Sequence, residues 1–290
     1  MPCIRALVPV MRHRASYLFD AGRTGHHGVY KRCVAMSFGR ARGCVARPDA
    51  TDNGGMRRVL ITGASRGLGQ GLVACYHARG WQTLALVRTE ADAAALQEGW
   101  PGCHAIVADV GRDEAVAIIA AAVQAHGQRL DLLINNAGNV ARGLRIDDVV
   151  PGDITALLEV HCTGALRCVQ AALPGLRATS GAKIVNVTSR LGSMGRYATG
   201  EFAHLKVSYA YRIAKAAQNM LTLCLGQDPS LQGIAVYGLH PGKVATAIAA
   251  PDAVLSPRAA ADRMADWIEA ADASMSGRCF DLDLDAELPW

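Results

Sequence analysis

Short apolar runs without polar alternation recur along the chain, and helical patterns separate them. The runs are RRVLIT (57–62), TLALV (83–87), HAIVA (104–108), LLI (132–134), KIVNV (183–187) and IAVYGL (234–239). Apolar residues at helical spacing follow at 67–80, 112–126, 153–173, 209–225 and 257–271. Apolar strands that alternate with helices are typical of a parallel sheet covered on both faces. The pattern predicts a doubly wound α/β domain over residues 56–290, with ligands at the carboxyl ends of its strands.

Residues 1–55 differ from the rest of the chain in charge and pattern. They hold nine Lys/Arg against three Asp/Glu, whereas residues 56–290 hold 21 basic and 22 acidic residues. The net charge of +5 therefore belongs to this extension, and the folded part is not expected to bind nucleic acid. The segment is Arg-rich like a transit peptide but shows no amphipathic helix. We expect this segment to be disordered, and to be either a non-native extension or the result of a start codon assigned too early.

The composition bears on the cellular compartment of the protein and on whether it has a membrane span or a metal site. No apolar run approaches the roughly 20 residues of a membrane span. The nine cysteines form no CxxC pair, and no His/Cys spacing suggests zinc. These features favour a cytoplasmic protein without a membrane or metal partner.

The first strand leads directly into TGASRGLG (62–69), which precedes the first helix. Its glycines let the backbone turn tightly and approach a ligand, and the helix then offers its first amides to a pyrophosphate. The spacing is G-x-x-x-G-x-G and not G-x-G-x-x-G. Its position between strand and helix nevertheless favours nucleotide binding over a plain turn.

The end of the second strand discriminates between the two nicotinamide cofactors. An acidic residue there would bind an adenosine ribose, but this chain has Arg88, and Arg66 lies in the glycine turn. Guanidinium groups suit a 2′-phosphate, so NADP(H) is favoured and NAD(H) stays open; the alternative is two solvated arginines. Asp109, after the third strand, either accepts a hydrogen bond from adenine or caps the next helix.

Three further motifs follow strands four, five and six. NNAG (135–138) lets a cofactor lie against the backbone or forms a tight turn, and Ser189 either faces the cofactor or caps a turn. HPG (240–242) opens a loop that continues as KVATAI. In SYAYRIAK, Tyr211 and Lys215 lie four residues apart on one helix face, whereas Tyr209 is rotated away.

Together these motifs resemble the short-chain dehydrogenase/reductase family, and SRLGS (189–193) and GRCFDLDLDAELPW (277–290) resemble its C-factor-like and sniffer-like carbonyl reductases. The resemblance implies a Rossmann-like domain, a carbonyl or alcohol substrate and a homodimer or homotetramer. It implies an NADPH-dependent reductase; the alternative is a nucleotide-binding signalling or scaffold protein. The cofactor-binding residues that it implies are Gly63, Ser65, Arg66, Gly67, Leu68, Gly69, Arg88, Asp109, Val110, Asn136, Ala137, Gly138, Tyr211, Lys215, Pro241, Gly242, Val244 and Thr246.

The resemblance also assigns catalytic roles. Tyr211 is the general acid in reduction and the base in oxidation, and Ser189 donates a hydrogen bond to the substrate oxygen. The Lys215 ammonium is expected to lower the phenol pKa from about 10 and to bind the nicotinamide ribose. His161 replaces the family's asparagine, which holds a helix kink and a proton-relay water. His161 either serves that relay, impairs it, or is simply a buried residue.

The segment between Ser189 and Tyr211 is longer than the family usually has. Its mixture of glycines, aromatic residues and charges suits an active-site wall or a mobile flap. Arg196, Tyr197 and Lys206 are either substrate contacts or solvated loop residues.

Overall fold

The structure is a computed structural model that describes residues 55–246 and 252–290. Within these residues eight strands form one sheet in the order β3-β2-β1-β4-β5-β6-β7-β8, all parallel except the β7–β8 pair. The strands are β1 (Arg58–Thr62), β2 (Gln82–Val87), β3 (His104–Val107), β4 (Leu132–Asn135), β5 (Lys183–Val187), β6 (Ala235–His240), β7 (Arg278–Asp281) and β8 (Ala286–Glu287). The predicted doubly wound α/β domain is confirmed, and the prediction for residues 1–55 lies outside the described residues but for its last position.

Helices cover both faces of the sheet. They are α1 (Gly67–Ala78), α2 (Glu90–Gly99), α3 (Glu114–Ala125), α4 (Pro151–Leu158), α5 (Gly164–Arg177), α6 (Met194–Ala198), α7 (Tyr209–Gln227) and α8 (Pro257–Ala270). Helices α1, α2 and α8 pack into one buried apolar cluster, and α3, α5 and α7 into a second. Successive β1 residues, Val59 and Leu60, enter opposite clusters, as the side-chain alternation of a strand requires.

Local signals place several helix ends. Ser256 caps α8 by accepting a hydrogen bond from the amide of Ala259 at 3.2 Å, and Pro257 occupies the first helical position, which its fixed φ suits. Gly80 follows α1 with a φ of +74°, the left-handed conformation that ends helices.

The prediction for one helix needs correction. The helix expected over 153–173 is interrupted by a π-helical turn at Glu159–Thr163, which separates α4 from α5. Helix α2 and strands β7 and β8 carried too weak a pattern to be predicted. In the described part of the chain, no helix is both long enough and apolar enough to cross a bilayer.

Candidate active site

The glycine turn after β1 is tied to the NNAG turn after β4. Thr62 Oγ1 accepts hydrogen bonds from the amides of Asn136, at 3.0 Å, and Ala137, at 2.9 Å. The Asn136 side-chain amide donates to the carbonyl oxygens of Thr62, at 2.9 Å, and Gly63, at 3.1 Å. A Cβ on Gly63 would lie 2.7 Å from Cα of Ala137, so no other residue fits. Asn136 and Ala137 therefore shape the glycine turn.

The start of α1 leaves its backbone accessible. Gly67 has a φ of +56°, and a Cβ on Gly69 would overlap the carbonyl oxygen of Gly63. No side chain caps the first turn of α1, so its amides keep their hydrogen-bonding capacity. This bare, amide-lined turn fits the pyrophosphate of a dinucleotide.

The residues expected around the adenosine lie at the same edge of the sheet. The amide of Ala64 donates to the carbonyl oxygen of Leu86 at 3.1 Å, which joins the glycine turn to the end of β2. Arg66 and Arg88 are exposed, and no ion pair recorded among the described residues involves either. Asp109 Oδ1 accepts a hydrogen bond from the amide of Gly111 at 2.9 Å. Asp109 thus closes a local turn and does not cap α3.

The loop after β6 reaches back to the glycine turn. A Cβ on Gly67 would lie 3.2 Å from Cγ2 of Thr246, and Val244 forms a parallel bridge with Leu255. Gly242 has a φ of +96° and packs tightly against the side chain of Asp283. The glycine turn, NNAG and the HPG loop, predicted separately, therefore meet. The part of the HPG loop from residue 247 to residue 251 lies outside the described residues.

Ser189, Tyr211 and Lys215 meet at the end of β5. Ser189 Oγ accepts a hydrogen bond from the amide of Leu191 at 3.2 Å, and the Ser189 side chain lies close enough to Tyr211 to influence its pKa. Lys215 Nζ lies 5.8 Å from the ring centre of Tyr211. A Cβ on Gly192 would lie 2.6 Å from the carbonyl carbon of Lys215, so this glycine lets the serine turn approach α7. Tyr209 is 39% exposed and belongs to the surface.

The electrostatics of the Tyr–Lys pair differ from the sequence expectation. Burial raises the pKa of Tyr211, and the nearby Ser189 side chain opposes that shift. Burial also lowers the pKa of Lys215 to about 7, because a desolvated ammonium is disfavoured. The expected lowering of the phenol pKa by Lys215 is therefore absent from the structure. The tyrosine is held in its protonated form near neutral pH.

His161 lies on the π-helical turn and faces the same tyrosine. Its ring makes an edge contact with Tyr211, with 5.8 Å between the ring centres, and its Nε2 is 2.8 Å from the carbonyl oxygen of Asn139. A Cβ on Gly138 would lie 2.6 Å from Cε1 of His161, which explains the glycine of NNAG. Burial, and then the charge of Lys215, lower the pKa of His161 to about 3. The imidazole is therefore neutral at physiological pH, and its Nδ1 has no partner.

The model of the family described as "short chain dehydrogenase" matches residues 57–253. The chain belongs to this family. Short-chain dehydrogenases are NAD(P)-dependent oxidoreductases. The C-signal of Myxococcus xanthus is 35% identical over 161 residues, which cover 56% of this chain and 93% of that protein.

Two solved carbonyl reductases share the fold of this short-chain dehydrogenase. The NADPH-bound enzyme from chicken fatty liver has a TM-score of 0.73 at 26% identity, covering 81% of this chain and 99% of that one. Sniffer of D. melanogaster has a TM-score of 0.72 at 27% identity, covering 81% and 100%. The resemblance to sniffer-like carbonyl reductases is thereby confirmed.

The insertion between Ser189 and Tyr211 packs against the end of the sheet. Arg196 is only 11% exposed and pairs with the buried Asp281 of β7 at 2.8 Å and with Glu201. Tyr197 packs edge-on against Phe202 at 5.1 Å between ring centres. Arg196 and Tyr197 were expected to be either substrate contacts or solvated loop residues, and neither of them is a solvated loop residue. Sequence reasoning missed Asp281, which becomes recognisable only when β7 is placed beside β6.

Asp281 also belongs to a compact cluster with His240 and Asp283, whose candidate ligand atoms lie within 4.8 Å of one another. Arg196 donates to Asp281 at 2.8 Å, and Arg263 donates to Asp283 at 3.0 Å. The amide of Asp283 donates to Asp281 at 3.0 Å. These donors compensate the carboxylates, so the cluster is an ion-paired anchor for the insertion.

Proposed function

We propose that this short-chain dehydrogenase reduces an aldehyde or ketone to an alcohol with NADPH. The observation that carries the proposal is the convergence of Ser189, Tyr211 and Lys215 at the end of β5, with Lys215 Nζ 5.8 Å from the centre of the tyrosine ring, beside the bare glycine turn. NADPH, when bound, supplies the hydride. The two hydroxyl groups then act on the carbonyl oxygen.

The roles of the two hydroxyl groups follow from their protonation. Because burial keeps the phenol of Tyr211 protonated, it can give its proton to the oxygen as hydride reaches the carbon. Ser189 donates a hydrogen bond that stabilises the negative charge developing on that oxygen. Lys215, when charged, stabilises the phenolate that is left. The carbonyl thus gains one hydride and one proton.

The preference for NADPH is supported by the two exposed arginines at the adenosine end of the site. Arg66 and Arg88 keep guanidinium groups that no recorded ion pair of the described residues neutralises. A 2′-phosphate would accept charge-assisted hydrogen bonds from them. The residues that would hold the rest of the cofactor are those of the glycine turn, NNAG and the HPG loop.

The test compares two tyrosines on the same helix. The purified protein is assayed against a panel of aldehydes and ketones by loss of NADPH absorbance, alongside Tyr211→Phe and Tyr209→Phe. We expect Tyr211→Phe to lower the turnover rate by about 10²–10⁴-fold and to leave the affinity for NADPH unchanged, because only the general acid is removed. Tyr209→Phe should match the wild type. Turnover by Tyr211→Phe at the wild-type rate would refute the assigned acid.

A second candidate is a nucleotide-binding protein without turnover. It is favoured by His161, a buried and neutral residue at the position where the resemblance implies an asparagine. The match to C-signal, whose name describes a signal, supports this second candidate. It predicts NADPH binding with no Tyr211-dependent product from any carbonyl.

The homo-oligomer implied by the resemblance stays a prediction, tested by light scattering.

A further inference from the structure

Gln218 lies one helical turn after Lys215 on α7 and contacts its ammonium directly. Gln218 Oε1 accepts a hydrogen bond from Lys215 Nζ at 2.8 Å, and the carbonyl oxygen of Val187 accepts a second at 2.7 Å. Gln218 is 1% exposed and Lys215 is 4% exposed. The spacing of three residues places the two side chains on one helix face. Two of the three ammonium protons are therefore fixed by groups from α7 and β5.

The backbone around Gln218 is held by a buried chain of hydrogen bonds. Thr222 Oγ1 donates to the carbonyl oxygen of Gln218 at 3.0 Å, and the Asn186 side-chain amide donates to Thr222 Oγ1 at 2.9 Å. The Asn135 side-chain amide donates to Asn186 Oδ1 at 2.9 Å. This chain joins α7 to β5 and β4. It fixes the position of the turn that carries Gln218.

The amide oxygen of Gln218 favours one protonation state of Lys215. An ammonium can donate to this oxygen, and a hydrogen bond to the charged form of a group stabilises that form. Burial acts in the opposite direction and lowers the pKa of Lys215 to about 7. Among the described residues, the titratable groups that face Lys215 are Tyr211 on its own helix and His161 on the π-helical turn. His161 is neutral near pH 7, so neither neighbour supplies a compensating negative charge there.

We propose that Gln218 is a positioning residue for the reduction, which acts by keeping the Lys215 ammonium charged and close to Tyr211. This inference rests on the proposed function, because it assigns Gln218 a role in that reaction. The charged lysine stabilises the phenolate formed when Tyr211 gives up its proton. Turnover should therefore fall on the alkaline side as Lys215 loses its charge.

Substitutions at Gln218 should move this alkaline limb in opposite directions. Gln218→Leu removes the acceptor and should shift the limb down by about one pH unit, because a hydrogen bond to a charged group is lost. Gln218→Glu places a carboxylate beside the ammonium and should shift the limb up. Loosening of the helix would not produce shifts of opposite sign. Gln227→Leu is the control, since it makes the same substitution at an exposed position at the end of the same helix.

The titration of Lys215 is measured independently of turnover. The chain has five lysines, so NMR of protein labelled with ¹³C at lysine Cε resolves Lys215, assigned with Lys215→Arg. We expect its titration to move down in Gln218→Leu, up in Gln218→Glu and not at all in Gln227→Leu. The alkaline limb of turnover should follow it in each variant.

The two readouts separate the possible failures. A Lys215 titration that is the same in Gln218→Leu and the wild type overturns the proposal. A titration that moves while the alkaline limb stays in place also overturns it. If the Lys215 titration shifts in the Gln218 variants but the wild type reduces no carbonyl, the proposed function is overturned. The role of Gln218 in the reduction then falls with it, while the effect of Gln218 on the Lys215 ammonium stands.

Discussion

Acidification should destabilise the protein through His161, and the substitution His161→Asn should remove that part of the loss. The imidazole is 2% exposed, and its pKa is lowered to about 3 by burial and by the charge of Lys215. In the unfolded chain the pKa returns to about 6.5. The neutral folded state therefore gains stability above pH 6.5, and this gain is lost as the pH falls from about 6.5 towards 3.

The magnitude follows from the two pKa values. At about pH 5 the unfolded histidine is protonated, since the pH lies about 1.5 units below its pKa, while the folded imidazole stays neutral. Each unit corresponds to about 1.36 kcal/mol, so lowering the pH from about 7.5 to 5 costs about 2 kcal/mol of unfolding free energy through this residue. His240, whose pKa is lowered to about 4 by burial, adds a similar loss that is common to all variants.

The assay is urea unfolding at both pH values for the wild type, His161→Asn and His204→Asn. His161→Asn should lose about 2 kcal/mol less than the wild type on acidification, because asparagine does not titrate. The exposed His204 provides the same substitution at the surface, and His204→Asn should behave as the wild type does. Equal acid losses in the wild type and His161→Asn would show that the folded imidazole is not held neutral.

Three other substitutions test separate parts of the site. Arg88→Ala should raise the KM for NADPH about tenfold without changing the KM for NADH, because a charged hydrogen bond is lost. Arg177→Ala, at the far end of the sheet, should change neither KM. Equal effects of Arg88→Ala on both cofactors would exclude a 2′-phosphate contact. Gly192→Ala should displace α7 and lower turnover more than cofactor affinity, whereas unchanged kinetics would contradict the tight packing seen there. Arg196→Ala should cost about 3 kcal/mol of unfolding free energy in urea, because Asp281 is left buried without its partner, and a loss below about 1 kcal/mol would contradict that pairing.

The parts that the sequence predicted are those with local signals. The apolar strands β1 to β6 alternate with helices, and Ser256 and Pro257 mark the start of α8, so the doubly wound sheet followed from pattern alone. The spacing of Tyr211 and Lys215 placed them on one face of α7, as the structure shows. Short-range spacing carries this information because helix geometry is fixed.

The parts that escaped prediction depend on contacts between distant residues. The ion pair of Arg196 with Asp281 joins positions 85 residues apart, and no spacing rule connects them. The raised pKa of Tyr211 and the lowered pKa of Lys215 depend on burial, which the sequence gives only on average. The π-helical turn around His161 also escaped, because its apolar pattern is continuous with that of α4 and α5.

Deuteride transfer tests the central claim most directly. The protein is incubated with an aldehyde or ketone that the panel identifies and with NADPH carrying deuterium at both C4 positions, and the product is analysed by mass spectrometry. The wild type and Tyr209→Phe should form an alcohol one mass unit heavier than the unlabelled product. Tyr211→Phe should bind the cofactor equally well and form almost none. Labelled alcohol formed by Tyr211→Phe at the wild-type rate would contradict the proposed reductase mechanism. The absence of labelled alcohol from every form of the protein with every carbonyl would contradict it as well.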